Sequence, residues 1–445
     1  MNFPQEPYAL ALRDTEPVRA RGQITQLVGL VIEALLQGVR MGELVYIYSQ
    51  DRKTLYPCEV VGFKPRRVMM MPLSELEGIG AGCEVVATGR MVSVKVGPKL
   101  LGRVLDGLGN PIDGKGPLVY ETTYSQVNAP PNSMKRALID TVIPTGIRVM
   151  DSFLTMGKGQ RIGIFAGSGV GKSTMLGQIA RQTKADLSVL CLVGERGREV
   201  REFLEYSLGE EGLARSCVVV ATSDASSLCR FKAPLVATSI AEYFRDQGND
   251  VFLMMDSMTR FAMAMREIGL AVGEPPAQKG YTPSVFALIP KLLERAGTSD
   301  VGSITAIYTI LVDGGDMDEP IADCVRGVLD GHIVMLRSIA AQGIFPAIDV
   351  LQSVSRLLDV LATKEHKQAR QAVFQMIADY KEVQDLLNVG AYVRGSNPAF
   401  DRAISMWDQI KGFLKQDIRD NTPYEDSIRQ LRSLGSTTSA ASMFT

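Results

Sequence analysis

The residues best suited to chemistry in this sequence fall in three short runs, each placed where an apolar stretch ends. The first is Gly167-Ser168-Gly169-Val170-Gly171-Lys172-Ser173-Thr174, which follows Ile162-Gly163-Ile164-Phe165-Ala166 and leads into a helical pattern. Strand, glycine-rich turn and helix in that order make a cradle for phosphate. Glycines let backbone N–H groups converge on phosphate oxygens, and the helix N-terminus favours an anion. Lys172 would pair with the β- and γ-phosphates of a nucleotide, and the Ser173 hydroxyl would ligate Mg²⁺. The strict spacing G-x-x-x-x-G-K-[ST] puts a glycine at 166, where this chain has Ala166. Alanine there costs little if its φ is negative.

The second run, Val251-Phe252-Leu253-Met254-Met255-Asp256, ends an apolar strand in a carboxylate. Ligands gather at the C-terminal edge of open α/β sheets, so Asp256 is the candidate second anchor of the Mg²⁺ shell, through water. Alone, such an Asp could equally be a turn residue. The third run, Leu192-Val193-Gly194-Glu195-Arg196-Gly197-Arg198-Glu199, places a glutamate just beyond another strand. Glu195 could orient an attacking water. It could also belong, with Arg196, Arg198, Glu199, Arg201 and Glu202, to a solvated charged face.

The elements that must hold these runs can be read from apolar periodicity. Strand-like runs at Ile162 to Ala166, Ser188 to Val193, Cys217 to Ala221, Val251 to Met255 and Ile304 to Val312 alternate with helical segments. Nearly continuous apolar strands separated by helices predict an α/β core with a parallel sheet buried on both faces. Upstream, short runs such as Leu44 to Tyr48 and Glu59 to Phe63, broken by Gly, Pro and Asp-Arg-Lys turns, predict a small β-barrel. Gly102 to Pro111 and the stretch through Asn132 read as turns and a linker. Lys364 to Asn388 carries an apolar stripe at helical spacing, followed by a Gly-Ser-Asn-Pro break and a helix from Phe400; Gly435 to Ser442 reads as a fraying tail. The predicted domains are 1–90, 91–356 and 357–445.

Composition excludes several classes. With 48 Lys+Arg against 49 Asp+Glu in 445 residues, nothing global suits coating nucleic acid or an anionic membrane. Only His332 and His366 occur, too few for a histidine-rich metal site or a histidine triad, and both read as structural. Cys58, Cys83, Cys191, Cys217, Cys229 and Cys324 lack C-x-x-C spacing and read as buried reduced thiols, hence cytosolic. Met1 to Pro7 lacks the basic start and apolar core of a signal peptide. Leu27 to Leu36 is about half a membrane span and contains Glu33, so any membrane association would be peripheral.

Assembled, these residues resemble the RecA-like rotary ATPase superfamily, which includes F-type and V-type catalytic subunits and the ATPases of type III secretion and flagellar export. The resemblance runs from about residue 20 to 435 and extends to Gly102 to Pro111, Pro346 to Ser355 and Tyr380 to Leu387. It implies that Glu195, in Gly194-Glu195-Arg196, is catalytic, since non-catalytic relatives carry glutamine there. It also implies that Arg356 reaches into a neighbouring subunit's site to stabilise the transferred phosphoryl group, that Phe345 stacks on adenine, and that Phe413 forms a second aromatic wall. Arg196 and Arg260 match arginines near the phosphates and the metal carboxylate. Without the resemblance, Phe345 and Phe413 would read as core.

Phe165 to Ser173, Gly194 to Phe203, Glu274 to Ala277 and Gly280 to Phe286 are similar to the export group, in which Ala166 is the group's own variant. Gly390 to Pro398 stands where F-type catalytic subunits have an acidic run. The resemblance therefore implies a homo-hexameric ATPase using ATP and Mg²⁺ at the cytoplasmic face of the membrane. Its implied partners are a stator-like regulator, a central stalk protein, an export gate and chaperone-substrate complexes, with no nucleic acid. The alternatives are an F/V-type catalytic subunit, a non-catalytic ring subunit, and an RNA-translocating helicase of the same core whose barrel would use Lys64, Arg66, Arg67 and tyrosines 46, 48 and 56.

Overall fold

A computed structural model describes residues 19–312 and 315–440. The stretch read for a leader, Met1 to Pro7, lies outside them.

Six strands, β1 (Arg21–Val28), β2 (Val31–Leu35), β3 (Glu43–Tyr48), β4 (Leu55–Lys64), β5 (Arg67–Pro72) and β6 (Glu84–Met91), close into a barrel in the order β1-β2-β5-β4-β3-β6. Burial along β3 alternates residue by residue, as a strand with one face on a core requires. Val45, Ile47, Met70 and Val85 fill that core. At its outer side Glu33 takes both Lys64, at 2.6 Å, and Arg67, at 2.8 Å.

The chain then forms a two-stranded ribbon, β7 (Ser93–Val96) with β9 (Thr122–Ser125), and between them β8 (Val104–Asp106). β8 pairs with β12 at the edge of the central sheet, so the segment read as linker contributes a strand. Three residues flanked by glycines carry too little periodicity to announce one.

The central sheet runs β17-β16-β10-β15-β13-β11-β12-β8, with β14 beside β15. Its members are β10 (Arg161–Ala166), β11 (Leu187–Val193), β12 (Ser216–Ala221), β13 (Asp250–Asp256), β14 (Gly297–Thr298), β15 (Ser303–Leu311), β16 (Gly331–Met335) and β17 (Val354–Ser355). It is parallel except for β14 on β15 and β17 on β16, so the sheet is mixed rather than wholly parallel. β11 and β12 are buried at every position, which explains their unbroken apolar sequence. Helix Ser227–Asp246 covers one face and helix Lys172–Gln182 the other, each within its own apolar core.

Helices Lys364–Asn388, Pro398–Leu414 and Tyr424–Ala440 form the C-terminal layer. The second begins at Pro398 rather than Phe400, because the Asn397 side chain caps it by accepting from the Ala399 N–H. The third continues through Gly435 and its Ser/Thr-rich neighbours, with 441 and 442 outside the described residues. Tyr380 and Trp407 stack between the first two helices, ring centroids 3.9 Å apart and 7° from parallel.

His366 is buried and its Nε2 meets the Ser152 carbonyl at 2.7 Å, while His332 Nε2 meets the Gln352 carbonyl at 3.0 Å; both ties are structural. All six cysteines are free thiols, with Cys229 and Cys324 half-buried rather than buried.

Candidate active site

The glycine-rich loop leaves the C-terminal end of β10 and enters helix Lys172–Gln182. Gly169 and Gly171 have φ of 78° and 84°, the left-handed region where a side chain is strained. Ala166 is still inside β10, paired with Leu311 and Met335 and fully buried, so that position needs no glycine.

Lys172 opens the helix, where its charge opposes the helix dipole. Asp256 offsets this. The last residue of β13, Asp256 is 2% exposed, and its Oδ1 accepts from Lys172 Nζ at 2.5 Å and from the Thr309 hydroxyl at 2.6 Å. Glu195, two residues past β11, approaches Lys172 Nζ at 4.0 Å. Gly194 must be glycine here, with φ 73° and the Arg260 stem 2.7 Å from where a Cβ would stand. The Arg260 stem is thereby laid against Gly194, and its Nε is buried without a hydrogen bond among the described residues.

Burial and the nearby Asp256 carboxylate push Glu195 from the ordinary 4.5 up to about 7, although Lys172 pulls the other way. A carboxyl poised near neutrality can accept a proton and release it.

Two cavities meet at Thr174. One of about 320 Å³ is lined by Ser173, Glu195, Asp256, Phe203 and Tyr206 among others. The second, about 360 Å³ and mostly apolar, runs along Gly171, Met175, Gln178, Phe345 and Pro346 to the segment Lys415 to Ile418. A chamber carrying the Ser173 hydroxyl and the Glu195 and Asp256 carboxylates, beside a more apolar one, suits a ligand with a charged end and a flat, weakly polar end. The donor set in the first chamber, a hydroxyl and a carboxylate already holding a cation, fits Mg²⁺, which takes few protein ligands and draws the rest from phosphates and water.

The structure thus brings together the loop residues 167–174, Glu195, Asp256, Arg260 and Phe345. Three other sequence-predicted residues lie elsewhere. Phe413 is 6% exposed, packs edge-on against Phe153 at 6.3 Å and under the Arg148 guanidinium at 5.8 Å; it is a core residue and lines neither cavity. Arg196 points outward, its side chain 80% exposed and facing Glu199 at 3.7 Å. Arg356 follows β17, and its N–H donates to the Asp330 carbonyl. β17 pairs with the first residues of β16, Gly331 and His332, whereas the last, Met335, lies opposite Ala166. Arg356 therefore sits at the far end of the sheet from its own phosphate loop, about 15 Å along the strand direction.

Several residues at the site carried no sequence signal. Arg337 donates to the Ser168 carbonyl at 3.0 Å and to its hydroxyl at 3.3 Å. Phe203–Leu208 forms a π-helical turn that supplies one cavity's Phe203 and Tyr206. Such turns recur at functional sites.

Three family models match the chain in succession: the β-barrel domain of the ATP synthase alpha/beta family over residues 24–89, the nucleotide-binding domain of the same family over 146–355, and the type III secretion EscN ATPase C-terminal domain over 362–433. The flagellum-specific ATP synthase of Bacillus subtilis is 52% identical over 94% of this chain and 96% of its own. The type 3 secretion system ATPase of Xanthomonas euvesicatoria is 48% identical over 94% of each. Among solved structures, the assembled ATPase EscN of the enteropathogenic E. coli type III secretion system superposes with a TM-score of 0.88 at 43% identity, covering 93% of this chain and all of that one. EscN in complex with its central stalk EscO gives 0.86 with the same identity and coverage.

Proposed function

Because the chain belongs to the ATP synthase alpha/beta family, as an ATPase of type III secretion and flagellar export, we propose that its ATP sites are completed between neighbouring copies in a hexameric ring. The observation that carries this is the convergence of Lys172, Glu195 and Asp256 on one loop while Arg356 stands at the opposite end of the same sheet.

In this reading the backbone of Gly167 to Gly171 and the Lys172 ammonium hold the β- and γ-phosphates, and the Phe345 ring faces adenine in the apolar chamber. Ser173 and Asp256 would hold Mg²⁺, which would supply positive charge to neutralise the phosphates. Glu195, ionised, orients water for in-line attack and receives its proton. Arg260 steadies the Gly194-Glu195 turn by its stem. The Arg356 guanidinium of the adjacent copy meets the charge that grows on the γ-phosphoryl oxygens, a role worth ~10³ to 10⁵ in rate. Arg196 and Phe413 drop out of the nucleotide site.

The domain division proposed is 1–90, 91–356 and 357–445, and the ring is taken to engage a central stalk as EscN does. A stator-like regulator, an export gate and chaperone-substrate complexes complete the proposed setting, at the cytoplasmic face of the membrane. Among the described residues no helix is long and apolar enough to cross a membrane. The helicase alternative loses support because Lys64 and Arg67 are both engaged by Glu33.

The test mixes two inactive variants. Lys172→Ala lacks the phosphate lysine and Arg356→Ala the finger; in an equal mixture about a quarter of interfaces combine an intact loop with an intact finger, by random pairing around a ring. ATPase activity should return on mixing. Mixtures as inactive as their components would sink the shared site.

A further inference from the structure

Gln416 is 6% exposed, in the segment that closes the apolar cavity opposite Phe345. Its amide is fully engaged with the protein. Nε2 donates to the Gly146 carbonyl at 2.8 Å and to the Asp420 carbonyl at 3.0 Å, and Oε1 accepts the Arg148 N–H at 2.7 Å. Its own backbone N–H donates to the Phe345 carbonyl at 2.8 Å.

The Asp420 carbonyl is a shared anchor. It also accepts from Gln178 Nε2 at 3.0 Å and Gln182 Nε2 at 2.9 Å, both on the helix that starts at Lys172. One buried glutamine therefore joins the turn at Gly146 to Arg148 that opens helix Arg148–Phe153, the Phe345 loop and the turn ending at Asp420, which is itself tied to the phosphate-loop helix. With both N–H groups donated and its oxygen already accepting, the side chain has little left for a base edge. It fixes the distance between cavity walls instead.

Resting on the nucleotide-site reading above, we propose that Gln416 is the positioning residue of the base cavity, setting the Phe345 ring and the 417–420 turn at the spacing a purine needs. It acts through those walls and leaves the phosphate chamber alone, since Lys172, Glu195 and Asp256 make none of its contacts.

The test uses two full-length variants, Gln416→Glu, which keeps the shape but faces the Gly146 and Asp420 carbonyls with an acceptor, and Gln416→Met, which removes donor and acceptor alike. Calorimetry measures the affinity for Mg-ADP and for Mg-pyrophosphate, and steady-state kinetics gives KM and kcat for ATP. Both variants should lose about tenfold in ADP affinity and gain about tenfold in KM, with pyrophosphate affinity and kcat within about twofold of the parent. Equal weakening of ADP and pyrophosphate, unchanged ADP affinity, or failure of both variants to fold would overturn the positioning role in favour of a structural one. The nucleotide-site reading would fail separately, through an unmodified protein that binds neither probe.

Discussion

Glu195 carries the most chemical information of any single residue. Its carboxyl is pushed up to about 7 by burial and by Asp256, so the ionised form a base requires becomes populated only as pH rises through that value. In the free protein, kcat/KM for ATP should climb from pH 6 to 8. Glu195→Gln should abolish that rise and lower kcat by ~10² to 10⁴ while retaining ADP binding. Stability runs the other way. A carboxyl whose folded pKa lies above its ordinary 4.5 favours the fold below 4.5 and loses that contribution as pH passes 7, so Glu195→Gln should melt higher than the parent at pH 8. A flat rate profile with unchanged turnover in the variant would remove Glu195 from the chemistry. Asp256 ends an unmistakable apolar strand, and Lys172 and Glu195 each stand a short turn beyond another, which made them candidates; only the resemblance chose Glu195 over a solvated charged face. Phe413 was assigned to the nucleotide site by resemblance, whereas its own sequence context reads as core, and in the structure it packs on Phe153, 260 positions away. Arg337 and Gln416 were silent because their contacts join loops that no periodicity links.

Elements, unlike residues, were legible in proportion to their length. Five strands of the central sheet, β10, β11, β12, β13 and β15, were marked to within a residue or two, as was Lys364–Asn388, whereas β8, β14, β16, β17 and the π-helical turn at Phe203–Leu208 escaped, each too short or too irregular to impose a period. That turn rests on helix Lys172–Gln182 at Gly177, where an added Cβ would stand 2.4 Å from the Ser207 Cβ and 3.0 Å from its carbonyl oxygen. Gly177→Ala sets a helix-propensity gain of ~1 kcal/mol against an overpacking cost of ~1 to 3 kcal/mol, and the second should win. Urea denaturation should report a less stable protein, partly restored by adding Ser207→Gly. A variant more stable than the parent would mean that the turn yields easily.

At the scale of the whole molecule, barrel and central domain are locked by an apolar seam, including Met69 and Met71 of the barrel and Leu228 of helix Ser227–Asp246, and by one ion pair. Lys232 Nζ meets Glu59 Oε1 at 2.6 Å, with side chains 5% and 9% exposed. Burial raises the Glu59 carboxyl despite that lysine, and its Oε2 has no partner among the described residues. Lys232→Met would strand the carboxylate, costing ~3 kcal/mol at pH 8 by the usual penalty for a broken buried pair. The loss should be smaller at pH 5 than at pH 8, since the raised carboxyl takes up a proton more readily as pH falls and is then neutral. Equal losses at both values would show that packing, not charge, holds the seam. Apolar runs and turns led to the proposed three-domain division, but not to the pair that joins barrel and central sheet, since Glu59 and Lys232 are each unremarkable in their own segment.

The Tyr380–Trp407 stack has a practical corollary. Trp407 is the sole tryptophan of the chain, and it lines a cavity with Ile344, the residue before Phe345, as well as Leu336 and Leu351. Ultraviolet excitation at the red edge therefore interrogates one location, the seam between the C-terminal layer and the loop that carries Phe345. The native protein comes with its own optical probe, whose quantum yield and emission maximum register any sliding of that seam without dye, label or engineered residue.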